Sequence, residues 1–191
     1  DGGKVGILES NPQEDLHLLN GGASKPKILL EGIHAGTQGP QIEFFQSSSS
    51  PAVVDEIGDI NFSGMDSVGS KTNYAMIRGL INDPTNGSET GALQFLTRVG
   101  GSSSPRMVIS GSRIGIGTGN DIPEAKVLHV KEGDSGASVS GNATVYVEDS
   151  NSCTIGIGTP TDKFGSITFG DSGGNGMGEV RYDHADDTMH L

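Results

Sequence analysis

Apolar residues along this chain alternate with polar ones over short stretches and do not recur at helical spacing. Val145-Tyr146-Val147-Glu148, Ile167-Thr168-Phe169 and Ile60-Asn61-Phe62 all step with period two, the pattern of strands with one covered face. Four segments share the spelling Gly-x-aliphatic-x-aromatic: Gly58 to Phe62, Gly91 to Phe95, Gly165 to Phe169 and Gly178 to Tyr182. Helix is not expected, because Gly, Pro or a Ser cluster interrupts almost every stretch of a dozen residues. The longest uninterrupted one, Asn142 to Ile155, is rich in Thr and Val and reads as strand. Asn20-Gly21, Asn86-Gly87 and Asn175-Gly176 are turn dipeptides, since both residue types tolerate positive φ. The predicted fold class is all-β, built of many short strands with glycine corners.

The pattern also returns. Gly3-Lys4-Val5-Gly6-Ile7, then Pro12, then Leu16-His17-Leu18, comes back as Ser112-Arg113-Ile114-Gly115-Ile116, then Pro123, then Leu128-His129-Val130. Self-similarity of this kind marks arrays whose units do not bury a core alone. Two repeated units are expected, residues 1–110 and an incomplete second copy at residues 111–191. Their second halves align as well, with Gly39 to Phe44 followed by Ile60 to Phe62 matching Ile167 to Phe169 followed by Val180 to Tyr182. The first of these connections is longer and holds the serine run Ser47, Ser48, Ser49 and Ser50. A long polar loop on a strand scaffold is a place for recognition, so these four serines are the candidate receptor-contact loop.

Composition sharpens the picture. Gly, Ser and Pro make up about a third of the 191 residues, a share often linked with disorder. The ordered alternation of the apolar positions argues instead for folded, glycine-rich backbone. Each strand offers only two or three inward apolar side chains, too few to offset the ~1–2 kcal/mol lost per ordered residue. Other copies of the chain are therefore expected to complete the core. A formal charge of −12 excludes the basic footprint of a nucleic-acid binder. No run of 18 apolar residues is present for membrane insertion, and no basic stretch leads into an apolar one as in a secretory signal. A lone Cys153 leaves no internal disulfide framework and no multi-cysteine metal site.

Pro105-Arg106-Met107-Val108-Ile109, then Arg113-Ile114-Gly115-Ile116-Gly117-Thr118, then Pro123 and Lys126-Val127-Leu128-His129-Val130, resembles a repeat of bacteriophage tail fibres and tailspikes. Gly178-Glu179-Val180-Arg181-Tyr182-Asp183-His184, with Asp187-Thr188-Met189, is similar to a second segment of the same fibres. The resemblance implies an elongated parallel homotrimer, located on the virion, assembled in the host cytoplasm and serving host attachment. Its implied partners are other phage tail proteins and a host surface glycan or protein. The self-cleaving chaperone domain that often ends such fibres has no counterpart here. A glycan-depolymerising tailspike and a bacterial cell-surface adhesin are the alternatives. In Ile114-Gly115-Ile116-Gly117 the isoleucines share one face and the glycines the other, which permits close backbone approach. Gly6, Gly115, Gly117, Gly156 and Gly158 are accordingly the candidate structural positions, with the glycine face expected at a threefold axis.

Catalytic chemistry is not expected. Gly170-Asp171-Ser172-Gly173-Gly174 spells a serine-protease nucleophile segment, yet acyl transfer there needs a histidine base held by a buried aspartate. None of His17, His34 and His129 has such a setting, and the segment reads as a turn. Asp171, Asn175 and Glu179, or Asp183, Asp186 and Asp187, carry hard oxygen ligands for Ca²⁺ but lack a recognised loop spacing and read as surface acids. His17 and His129 are expected to face outward between inward aliphatics. No cofactor and no metal is expected.

Overall fold

The computed structural model describes residues 5–7, 14–22, 26–33, 35–120, 127–137 and 143–191, with the backbone alone at 5–7 and 175–177. Among these residues there are twelve strands and no helix, so the all-β expectation is met. The chain forms two compact units, Asp1–Phe45 and Gln46–Leu191. The first holds β1 (Val5–Ile7) and β2 (Leu16–Leu18), paired in parallel. The second holds a seven-stranded sheet of β3 (Glu56–Met65), β4 (Lys71–Asp83), β5 (Thr90–Val99), β6 (Ser102–Ser110), β7 (Arg113–Ile116), β8 (Leu128–Lys131) and β9 (Val145–Glu148), in sequence order. It also holds a three-stranded sheet of β10 (Phe164–Asp171), β11 (Gly174–Asp183) and β12 (Thr188–His190).

β3 to β7 form an antiparallel meander. Its turns follow from local chemistry. Asp66 Oδ1 accepts hydrogen bonds from the amides of Val68 and Ser70 between β3 and β4. Gly100 and Gly101, at φ 57° and 85°, form a two-residue link between β5 and β6. Positive φ at both positions matches the twist of a tight hairpin and is cheap only without a Cβ. At β7 the sheet changes character: β7, β8 and β9 are successive parallel neighbours. Residues 117–127 and 132–144 make the two returns without any helix among the described positions. The pairing of β6 with β7 crosses position 110, so the sequence repeat and the compact units divide the chain differently.

The register separates the two faces of the large sheet. Ile60, Ile77, Phe95, Met107, Ile116, Val130 and Val147 are successive partners across all seven strands. Beside them on the same face runs Leu93, Ile109, Ile114, Leu128 and Val145. On the opposite face the cross-sheet row reads Asp59, Arg78, Gln94, Val108, Gly115, His129 and Tyr146. Every buried position among the described residues belongs to this second face: Leu80, Gln94, Leu96, Val108, Gly115, His129 and Glu148. The continuous apolar row is the more open one, with Ile60 46 %, Phe95 36 % and Ile116 42 % exposed. By itself the sheet hides its polar row and presents its aliphatic one.

Two expectations are corrected by the pairing. Residues 39–44, aligned by sequence with the strand Ile167 to Phe169, belong to no strand, while Ile60 to Phe62 lie within β3. The expected strand from Asn142 to Ile155 is confined to β9, because Asp149 ends it: its carboxylate Oδ1 accepts from the Asn151 amide at 3.0 Å and starts a turn. Asn142 itself lies outside the described residues.

Candidate functional site

Three places carry concentrated polar chemistry. The first lies on the covered face of β8 and β9. His129 is 2 % exposed, its ring 5.0 Å from that of Tyr146. Its Nε2 is 2.9 Å from Glu148 Oε2, and its Nδ1 has no hydrogen-bond partner. Glu148 Oε1 accepts from the Ser135 amide at 2.8 Å and the Ser135 hydroxyl at 3.0 Å. Lys131 Nζ stands 3.2 Å from Asp134 and 3.8 Å from Glu148 Oε2. Amide and hydroxyl donation from Ser135, with His129 and Lys131 beside it, holds the Glu148 carboxyl below the usual glutamate range. The outward position expected for His129 is therefore overturned: the ring is buried, and Ser135, from the segment after β8, returns to bond Glu148 and Tyr146 beside it. In order, the contacts run Ser135, Glu148, His129. The hydroxyl bonds the carboxylate and not the imidazole, so these residues do not have the serine–histidine–carboxylate order of a triad.

Farther along the same face, Asp59 and Arg78 make a two-point ion pair, Nε to Oδ1 at 2.9 Å and Nη2 to Oδ2 at 2.8 Å, with Glu56 also on the guanidinium. That hydrogen bonding raises the Arg78 pKa from its ordinary value. Gln94 Nε2 donates to Asn120 Oδ1 at 2.6 Å, and Asn82 Nδ2 to Ser110 Oγ at 2.6 Å. Asn82, Gln94, Ser110 and Asn120, with Leu80, Val108 and Arg113, line a cleft of about 360 Å³. Their mutual bonding makes this a satisfied structural network.

The second place is the hairpin end of the small sheet. Asp183, Asp186 and His190 bring two carboxylates and an imidazole within 4.8 Å of one another. The acid run named from sequence is thus regrouped. Asp187 turns away to accept the Tyr182 hydroxyl at 2.8 Å, which raises the tyrosine pKa. His190 enters because antiparallel pairing brings β12 back beside β11. Asp186 and His190 are exposed, and Thr188 Oγ1 already contacts both.

Third is the serine loop. Ser47, Ser48, Ser49 and Ser50 are all exposed; the Ser50 amide donates to Ser48 Oγ, and the Ala52 amide to Asp55 Oδ2. The loop runs into Val54, whose φ of 67° is unusual for a β-branched residue. Its amide is held at 2.8 Å by the Ile81 carbonyl. The loop therefore hangs from the start of β3 by a strained residue.

The glycines divide. Gly6 stands opposite His17 and Gly115 opposite His129 in their parallel pairs. Gly117 has a φ of 75°, and a Cβ there would collide with the Lys131 carbonyl. Gly156 and Gly158 meet nothing within 4 Å. The glycine face of β7 lies under its own chain's cover, so the surface left for another chain is the isoleucine face. Ser172 occupies the turn between β10 and β11, where Asp171 Oδ1 accepts from the Gly173 amide at 2.7 Å. Asp171 is thereby committed to the turn. No protein-family model and no curated protein matches this chain.

Proposed function

We propose that this chain is a structural and adhesive segment of a homotrimeric bacteriophage tail fibre, carried on the virion and used in host attachment. The observation that carries the reading is the uncovered apolar row from Ile60 to Val147. Among described residues, only Leu80, Leu96 and Val108 are buried hydrophobics. Burying each large aliphatic or aromatic side chain contributes ~1.5–3 kcal/mol. Association through this face supplies the core that the single chain lacks. The exposed serine loop, displayed three times, is the surface offered to a host glycan or protein, where avidity strengthens weak single contacts.

Light scattering of the purified chain tests the trimer. A mass three times 19.6 kDa is expected, and a stable folded monomer is incompatible with the reading. Host-cell adsorption then separates spacer from adhesin. Deleting Ser47 to Ser50 should lower it, while Ser172→Ala should leave it unchanged. Full adsorption by the folded deletion variant would remove the loop as the contact.

A further inference from the structure

Gly115 is flanked by Ile114 and Ile116, and this x-Gly-Ile strand pairs in parallel with a strand whose middle residue is a ring: Gly115 opposes His129. Within its own unit, Gly6 opposes His17 in the same way. A third such segment, Ile155-Gly156-Ile157-Gly158, repeats the spelling of Ile114 to Gly117. No backbone hydrogen bond joins residues 153–159 to another described residue. Ile155 and Ile157 are 70 % and 47 % exposed, and Ile157 rests on Gly165 of its own chain. At the same time β9 is the last strand of the large sheet. Among the described residues its outer edge has no strand partner beside Tyr146, the ring that continues the row from Gly115 and His129. Unpaired strand backbone on both sides is a matched pair of docking surfaces.

We infer that Ile155–Gly158 of one copy pads the free edge of β9 in a second copy as a parallel strand, Gly156 lying opposite Tyr146. The register then extends Ile114, Leu128 and Val145 to Ile155, and Ile116, Val130 and Val147 to Ile157, with aliphatics on one face throughout. Own-chain pairing is disfavoured by length. Residues 149–154 are fewer than residues 8–15, 117–127 or 132–144, which make the observed parallel returns, and such returns ordinarily need about a dozen residues. The contact is head-to-tail, the type that closes into a ring of three when each copy is turned by a third of a circle. This inference rests on the trimeric reading above and assigns the segment that joins its chains.

The register places Cys153 beside Ala143 of the next copy. Neighbouring strands lie about 4.8 Å apart, inside the roughly 4.4–6.8 Å range of disulfide Cα separations. Ala143→Cys, oxidised mildly beside the native Cys153, should give covalent dimers and trimers on a non-reducing denaturing gel. Ala137→Cys, in the segment after β8, should not. A trimeric mass with no interchain cross-link, or with a bond closed inside one chain, would overturn the strand exchange and leave the fibre reading standing. A monomeric mass would overturn both. As a second measure, Gly156→Val should leave the chain folded yet raise the assembly dissociation constant roughly tenfold or more, as a clash at a packed contact does. Unchanged assembly by Gly156→Val would count against the pairing.

Discussion

Gly115 lies directly across from His129, and the imidazole occupies a buried position beside a residue that has no side chain. The imidazole is the most buried side chain described, and its neighbour across the parallel pair is a buried glycine.

Two substitutions probe that arrangement. Gly115→Val should destabilise the chain by about 1–3 kcal/mol through overpacking against His129. Gly117→Ala should cost at least about 1–2 kcal/mol, because left-handed backbone disfavours a Cβ and the Lys131 carbonyl blocks it. Urea titration of both variants beside Ser48→Val supplies the comparison. Equal midpoints for all three would contradict the placement of these glycines.

Ile116→Asp places a charge on the uncovered face. Its expected effect is on association and not on the fold of the chain, since Ile116 is 42 % exposed. Light scattering should show loss of the oligomer with the β-sheet circular dichroism retained. Ser112→Asp, in the turn between β6 and β7 and off this face, should assemble normally.

The Glu148 carboxyl is held below its ordinary range by Ser135, His129 and Lys131. A depressed carboxyl pKa adds stability that is fully present above the unfolded glutamate value and disappears as pH falls through the lowered one. Glu148→Gln should therefore be less stable than the native chain at neutral pH, with the gap closing in acid. Thermal melts across the range from pH 7 to about pH 3 provide the readout. A gap independent of pH would assign the loss to packing alone.

Val54 holds a positive φ that favours glycine. Val54→Gly should raise stability by up to about 1 kcal/mol, the relief of strain being partly offset by the freer unfolded backbone. A clear fall in the melting temperature would show that the valine side chain packs productively beside the serine loop.

Period-two alternation and glycine corners determined the all-β class, because side chains on a strand point alternately to two faces. The strands at Gly91 to Phe95, Ile167 to Phe169 and Val180 to Tyr182 were legible for that reason. So was the turn at Ser172, where Asp and Gly supply their own local bonding. Val5-Gly6-Ile7 and Ile114-Gly115-Ile116 each pair in parallel with the aliphatic-His strand that follows. Which face would be covered was not legible. Alternation says that two faces differ, but the return of Ser135 to Glu148, beside the buried His129, is a long-range choice between them. Nor did spacing reveal that Asp183 and Asp186 meet His190, since antiparallel return joins residues by register and not by sequence distance. Local pattern fixes the strand; only the pairing of distant strands decides which side chains share a surface.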